Sequence, residues 1–311
     1  MIPTYNAKPG YLEETLRSVL AQDPGPALMQ IEIMDDCSPN GAPVEVVQKV
    51  AGDRITIHRG EKNLGLAGIW NQCIERARGK WVHILHQDDI VKPGFYQKLK
   101  AGMESPTAPG LVYCRQGFMD GNGQAGRLSD PDATTAGCLP NALPRLASAQ
   151  VIQTPSVMVR RSAYEAVGGF RSDLCFTLDW EMWCRLARKF PVWYEPEPLA
   201  IYRVHAGAET SRLVLAGKDI EDIRKCIGII SGYVDDARTR AEVKRAASRR
   251  YALWALNNAE NLLRIGRKDA AWRQITGALK CDSSPKIWKE ALKLLPAAAG
   301  ATGNKGPAPH A

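Results

Sequence analysis

An α/β fold built on a mainly parallel sheet flanked by helices, with an all-helical C-terminal extension, is what these 311 residues predict. Three observations carry the prediction. From Met1 to about Tyr202, short apolar runs alternate with amphipathic helical stretches, the rhythm of strand, helix, strand in a parallel sheet. Two acidic pairs, Asp35-Asp36 and Asp88-Asp89, each follow an apolar run. Ligands of such sheets lie at the carboxyl ends of the strands, so the two pairs are expected at one crevice. Beyond Arg212 the alternation stops and helical periodicity alone continues.

The elements follow in order. MIPTYN reads as the last residues of a first strand, so several further apolar residues are expected upstream of Met1. Helices near 11 to 22, 43 to 51, 65 to 78 and 95 to 104 then separate the runs IEIM (31 to 34), ITIH (55 to 58), WVHIL (81 to 85) and LVYC (111 to 114). The break at Pro93-Gly94 sets the start of the fourth helix. Residues 115 to 150, rich in Gly, Pro, Asp and Ala, read as a long loop or weakly ordered excursion. IQTPSVMVR (152 to 160) reads as a strand, and residues 251 to 266 with 268 to 280 read as a helical hairpin. From Pro296 the Ala, Gly and Pro tail is expected to be disordered. The expected division is therefore 1 to 212, a helical region from 213 to 295, and a tail from 296 to 311.

Composition limits the function classes. No apolar run approaches the roughly 18 residues of a membrane-spanning helix, and no charged, apolar and small-residue leader opens the chain, so a cytoplasmic protein is expected. The 8 cysteines are scattered without a CxxC, which fits reduced thiols and neither structural zinc nor a disulfide framework. Of the charges, 18 Lys and Arg against 10 Asp and Glu fall in residues 213 to 311, and 23 against 23 in residues 1 to 212. That basic excess suits an anionic membrane surface or an anionic acceptor, or is a solvated helix face. Interleaved basic and aromatic runs are missing from it, so no nucleic-acid partner is expected. No GxGxxG follows the first strand and no GxSxG occurs, which disfavours a nicotinamide dehydrogenase and a nucleophile-elbow hydrolase.

Seven motifs in order and spacing then resemble one family: IPTYN (2 to 6), MDDCSPN (34 to 40), KNLGLAGIWN (62 to 71), GKWVHILHQDD (79 to 89), VGGF (167 to 170), LDWEMWCRL (178 to 186) and YRVHAGAETS (202 to 211). Together they resemble the family 2 glycosyltransferases, whose GT-A fold is Rossmann-like. The resemblance covers about residues 1 to 212. It implies an inverting transferase that moves a sugar from a nucleotide donor, UDP-linked by preference, to a glycan or lipid-linked acceptor in cell-surface polysaccharide synthesis.

A diphosphate leaving group calls for a divalent cation held by carboxylates. By the resemblance Asp88 and Asp89 hold Mg²⁺ or Mn²⁺, Asp89 foremost, with Asp88 shared with the ribose and His205 completing the shell. Capping of the turn is the other use of such a pair. The commoner family form carries an acid where His86 stands, so the division of roles between Asp88 and Asp89 stays open. Asp36 resembles the contact to the nucleotide base, although an Asx turn or helix cap suits Asp35 and Asp36 as well. Pro3, Tyr5 and Asn63 are expected to line the nucleotide pocket, and Arg203 and Ser211 to approach its phosphates.

In LDWEMWCRL, Glu181 pairs by spacing with Arg185 at i+4, leaving Asp179 to face the site while Glu181 makes a surface pair. Asp179 matches the family's catalytic aspartate and is assigned as general base. Trp180 and Trp183 fit either acceptor stacking or core packing. The change at His86 also motivates a different class, a catalytically silent scaffold or nucleotide-binding protein on the same fold. Membrane contact is expected through residues 213 to 295.

Overall fold

A computed structural model of the chain describes residues 1–205, 207 and 209–299. Its first three strands, β1 (Ile2–Thr4), β2 (Glu32–Asp35) and β3 (Thr56–Arg59), lie in parallel, with Ile2 opposite Ile33 and Ile33 opposite Ile57. Parallel neighbours need long crossovers, and α1 (Pro9–Leu20) and α2 (Val44–Ala51) supply them. Proline suits a first helical turn, where its missing N–H costs nothing. Leu12, Leu16 and Val19 of α1 recur at helical spacing and bury against Ile2, Ile33 and Leu85 in one core.

Next come α3 (Gly65–Arg76), β4 (Trp81–His83), β5 (Ile90–Val91) and α4 (Phe95–Met103). Gly94 takes a φ of +89° just before α4, a conformation that glycine adopts without a Cβ penalty. The Leu85 amide donates to the Met1 carbonyl at 3.0 Å, carrying backbone pairing from β1 to the chain just past β4. β6 (Leu111–Asp120), β7 (Ala125–Leu128), β8 (Gly137–Cys138), α5 (Ala142–Ser148), β9 (Val157–Arg160), α6 (Arg161–Val167), α7 (Leu178–Lys189) and β10 (Val192–Val204) complete the α/β part.

The second sheet runs β4-β9-β6-β10-β5, with β7 against β6 and β8 against β10. Within it β6 and β10 pair in parallel and the other pairs are antiparallel. The sheet system is therefore mixed, parallel across β1 to β3 and at the β6–β10 pair. The stretch 115 to 150 is likewise corrected: it holds the second half of β6, then β7, β8 and α5. Composition hid this because β6 is held by ladder bonds to residues some 80 positions away in β10, and strand formation depends on such partners more than on local propensity.

The chain divides into two compact units, Met1–Leu146 with Gln150–Ala206, and Ala147–Ala149 with Gly207–Ala311. The second carries α8 (Glu209–Ala216), α9 (Lys218–Ser231), α10 (Ala237–Arg264), α11 (Lys268–Cys281) and α12 (Pro285–Ala299). The 28-residue α10 packs against α9, α11 and α12, burying Ala247, Ala255 and Ala259. Residues 296 to 299, expected in a disordered tail, continue α12. The rest of that tail, 300 to 311, lies outside the described residues. No described helix is long and apolar enough to cross a membrane.

Candidate active site

Val82 in β4 and Ile84 and Leu85 just past it bury three apolar side chains, and the chain turns at Gln87 and Asp88. Two adjacent carboxylates stand at that turn. Asp89 is fully buried; its Oδ1 accepts the Arg203 amide at 2.8 Å, and its carbonyl accepts the Thr15 hydroxyl of α1 at 2.8 Å. Its Oδ2 makes no hydrogen bond and stands 3.4 Å from His86 Nδ1, an ion-pair contact. Burial pushes the Asp89 carboxyl upward and the Asp88 charge adds to that, while His86 and the Arg203 amide pull it back.

Asp88 keeps a fifth of its side chain exposed and takes His205 Nε2 on its Oδ2 at 2.8 Å. Its carbonyl is held by Arg203 Nε at 2.8 Å. His86 stacks on Trp70 with ring centroids 4.9 Å apart, and its Nε2 is buried without a hydrogen-bond partner. Burial works against charge on this imidazole, yet Asp89, then Asp88 and Asp179, outweigh it and leave the group raised. One ligand atom each from His86, Asp88 and Asp89 lies within 4.8 Å of the others. Two carboxylates and an imidazole, with the buried Asp89 Oδ2 lacking a hydrogen bond, fit a divalent cation by donor type.

Asp179 sits in the first turn of α7, nearly buried. Its Oδ1 accepts the Trp180 amide at 2.7 Å and its Oδ2 accepts Gln150 Nε2 at 2.5 Å. Burial raises its carboxyl to about 6, against the Trp180 amide, the nearby His86 and Gln150. That value leaves a carboxylate poised to exchange a proton near neutrality. Glu181 does pair with Arg185 at 2.8 Å, but the expected surface pair is corrected: Glu181 is wholly buried. Arg185 also donates to the Val167 and Gly169 carbonyls, so the pair ties α7 to the VGGF turn. A Cβ on Gly169 would stand 2.4 Å from Asn71 Oδ1, so only glycine lets the turn approach α3. Trp180 and Trp183 are core residues, Trp180 donating to the Leu146 carbonyl at 2.7 Å.

The residues expected at a nucleotide are each held by other partners in the structure. Asp36 is buried and accepts the Leu64 and Gly65 amides at 2.7 and 3.0 Å, capping the start of α3. Each oxygen keeps further acceptor capacity. Asn63 donates to the Asp36 carbonyl and accepts the Gly65 amide. Asp35 takes Arg59 at 2.8 Å. Pro3 is buried in β1, and exposed Tyr5 exchanges two backbone hydrogen bonds with the Gln87 side chain, linking the end of β1 to the acidic loop. Arg203 is buried; besides Asp88 it contacts Glu14 and lies 4.4 Å over the Tyr11 ring, which makes it a clamp between α1, the loop and β10. Ser211 belongs to the helical unit, in the first turn of α8. Sequence reading missed Gln150, Trp70, Gln87, Tyr11 and Glu14, which lie in the site's supporting contacts.

The family model described as glycosyl transferase family 2 matches residues 1–168, just over half of the chain. An uncharacterized Mycobacterium tuberculosis protein is 28% identical over 264 residues, 81% of this chain and 79% of its own length. The putative teichuronic acid biosynthesis glycosyltransferase TuaG of Bacillus subtilis is 30% identical over 171 residues, 51% of this chain and 66% of that protein. Among solved structures, S. aureus TarS 1-349 in complex with UDP-GlcNAc superposes with a TM-score of 0.65, covering 96% of this chain and 88% of that one. At 16% identity that likeness is one of fold, a GT-A-like fold.

Proposed function

The chain belongs to glycosyl transferase family 2, and on that premise we propose an inverting, metal-dependent transferase. It moves a sugar from a nucleoside-diphosphate donor, UDP-linked first, to a hydroxyl of a glycan or lipid-linked acceptor in cell-surface polysaccharide synthesis. The observation that carries this reading is a buried Asp179, pinned by Gln150 at 2.5 Å and acted on by His86, itself grouped with Asp88 and Asp89. A polymer product is supported by the relative named for teichuronic acid biosynthesis, and a UDP donor by the fold neighbour solved with UDP-GlcNAc.

Asp88 and Asp89 would hold Mg²⁺ or Mn²⁺, with His205 bracing Asp88 or entering the shell itself. When bound, such an ion neutralises charge that builds on the diphosphate. Pro3, Tyr5, Asp36 and Asn63 receive the nucleoside, and Arg203 serves the phosphate side. Asp179 takes the proton of the acceptor hydroxyl while that oxygen bonds to the anomeric carbon, opposite the departing diphosphate oxygen. One displacement inverts the configuration. The protein would work on the cytoplasmic face of a membrane, held peripherally by residues 213 to 295.

The test is release of nucleoside diphosphate from UDP-, GDP- and dTDP-sugars with Mn²⁺ and candidate acceptors. One donor class is expected to turn over, and Asp179→Asn to slow it about 10²- to 10⁴-fold with nucleotide affinity unchanged. Nucleotide binding with no turnover of any donor favours the silent scaffold, and full activity in Asp179→Asn removes the assigned base.

A further inference from the structure

We propose that His86 supplies a nitrogen ligand to the cation site and thereby turns that site toward Mn²⁺ and away from Mg²⁺; the inference rests on the transferase reading above. Four observations carry it. First, His86, Asp88 and Asp89 bring one ligand atom each within 4.8 Å of one another. Ligands on opposite sides of an ion with bonds of about 2.1 Å stand roughly 4.2 Å apart, so the cluster closes on a cation with a shift of about half an ångström.

Second, His86 Nδ1 and Asp89 Oδ2 stand 3.4 Å apart without a hydrogen bond between them. Two adjacent ligands of one such ion are separated by about 3 Å at a right angle and by more at wider angles, so this pair already spans a cation's edge. Third, Asp89 Oδ2 is buried with no hydrogen-bond partner. Buried polar atoms are almost always satisfied, and an ion between the imidazole and the carboxylates accounts for the exception. Fourth, the imidazole is already oriented: it stacks on Trp70, itself 2% exposed and edge-on to Phe170.

His205, the histidine expected in the shell, instead places its Nε2 on Asp88 at 2.8 Å. In that arrangement it steadies a ligand, and His86 is the nitrogen that stands among the carboxylates. The consequence follows from ligand chemistry. Mg²⁺ takes oxygen ligands and keeps its waters, whereas Mn²⁺ opens the first-row series whose later members imidazole suits, and so accepts a nitrogen more readily than Mg²⁺ does. A neutral nitrogen in place of an acid also removes one negative charge from the site.

The test is pulsed EPR of Mn²⁺ bound to the full chain with UDP, on protein grown with [¹⁵N]histidine, so that a histidine ligand is told apart from backbone and nucleobase nitrogen. Loss of the free Mn²⁺ signal measures binding separately. Expected is directly bonded ¹⁵N coupling in the wild type and in His205→Gln, and its loss in His86→Asp and His86→Gln, both checked for native circular dichroism. His86→Asp should still bind Mn²⁺ but shift Mn²⁺ over Mg²⁺ preference by at least about tenfold toward Mg²⁺. Coupling that survives in His86→Gln and vanishes in His205→Gln, or bound Mn²⁺ with no histidine coupling at all, overturns the inference and leaves the transferase reading standing. Absence of Mn²⁺ binding in the wild type with UDP overturns both.

Discussion

Asp179 is a carboxylate whose surroundings bring its titration up toward neutrality. Burial raises it to about 6, while Gln150, the Trp180 amide and His86 hold it from rising further. A general base acts only when ionised, so the acid form is the inactive one. The kcat/KM of the wild type is therefore expected to be level above about pH 7 and to fall about tenfold per unit below about pH 6. Gln150 donates to the carboxylate form, and removing that donor raises the group. A pH–rate profile of Gln150→Ala should accordingly show the same limb displaced to higher pH; an unmoved limb contradicts the role given to Gln150. Of these residues, Asp179 was singled out because LDWEMWCRL resembles the family's motif at its catalytic aspartate. Gln150 was not, since a neutral amide at the end of a poorly patterned stretch carries no motif. His86 was legible only as the loss of an acid. That it lies against Trp70, with Asp89 beside it, is a fact of long-range packing.

Element by element, the structure follows the sequence where the signal is local and departs where it is not. The helices α1 to α4 and the first strands fall within a few residues of their expected places because apolar periodicity and Pro–Gly breaks mark them. Strand order and the antiparallel pairing of β9 and β5 depend on distant partners and left no local trace. The same held for Glu181, where spacing announced the partner Arg185 but not the burial of the pair.

In the helical unit another buried acid makes a prediction at this scale. Asp219, in the first turn of α9, accepts Gln274 Nε2 of α11 at 2.8 Å, and its Oδ2 is buried with no hydrogen-bond partner. Burial raises it from 3.8 to about 6. The fold thus favours the protonated acid, and the resulting destabilisation grows as pH rises from about 4 and is complete above about 6. It reaches at most about 3 kcal/mol. Thermal unfolding of Asp219→Asn should match the wild type near pH 4 and exceed it increasingly toward pH 7, and equal melting temperatures across that range contradict the buried-acid account.

At the scale of the whole molecule, charge and chemistry are separated along the chain. Residues 1 to 212 carry 23 Lys and Arg against 23 Asp and Glu, and every assigned site residue, while residues 213 to 311 carry 18 against 10. In the described helices Trp272, Trp288 and Leu292 stand exposed, and apolar side chains beside basic ones suit an anionic interface. Salt-sensitive co-sedimentation with vesicles containing phosphatidylglycerol, and not with phosphatidylcholine alone, is expected. Equal binding to both, or none, contradicts membrane docking by charge.

The family was legible across the α/β part because its motifs recur in order. The helical unit had only periodicity to offer, and so its use was not. In the proposed transferase the acidic loop after β4 holds a nucleotide through a metal ion. Calorimetric titration of UDP into the wild type and Asp88→Asn, each with and without Mn²⁺, tests it most directly, since the substitution keeps the side chain's shape and removes its charge. Binding that requires Mn²⁺ and weakens by at least about tenfold in Asp88→Asn is the predicted result. UDP affinity that is indifferent to both the metal and the substitution would contradict the account.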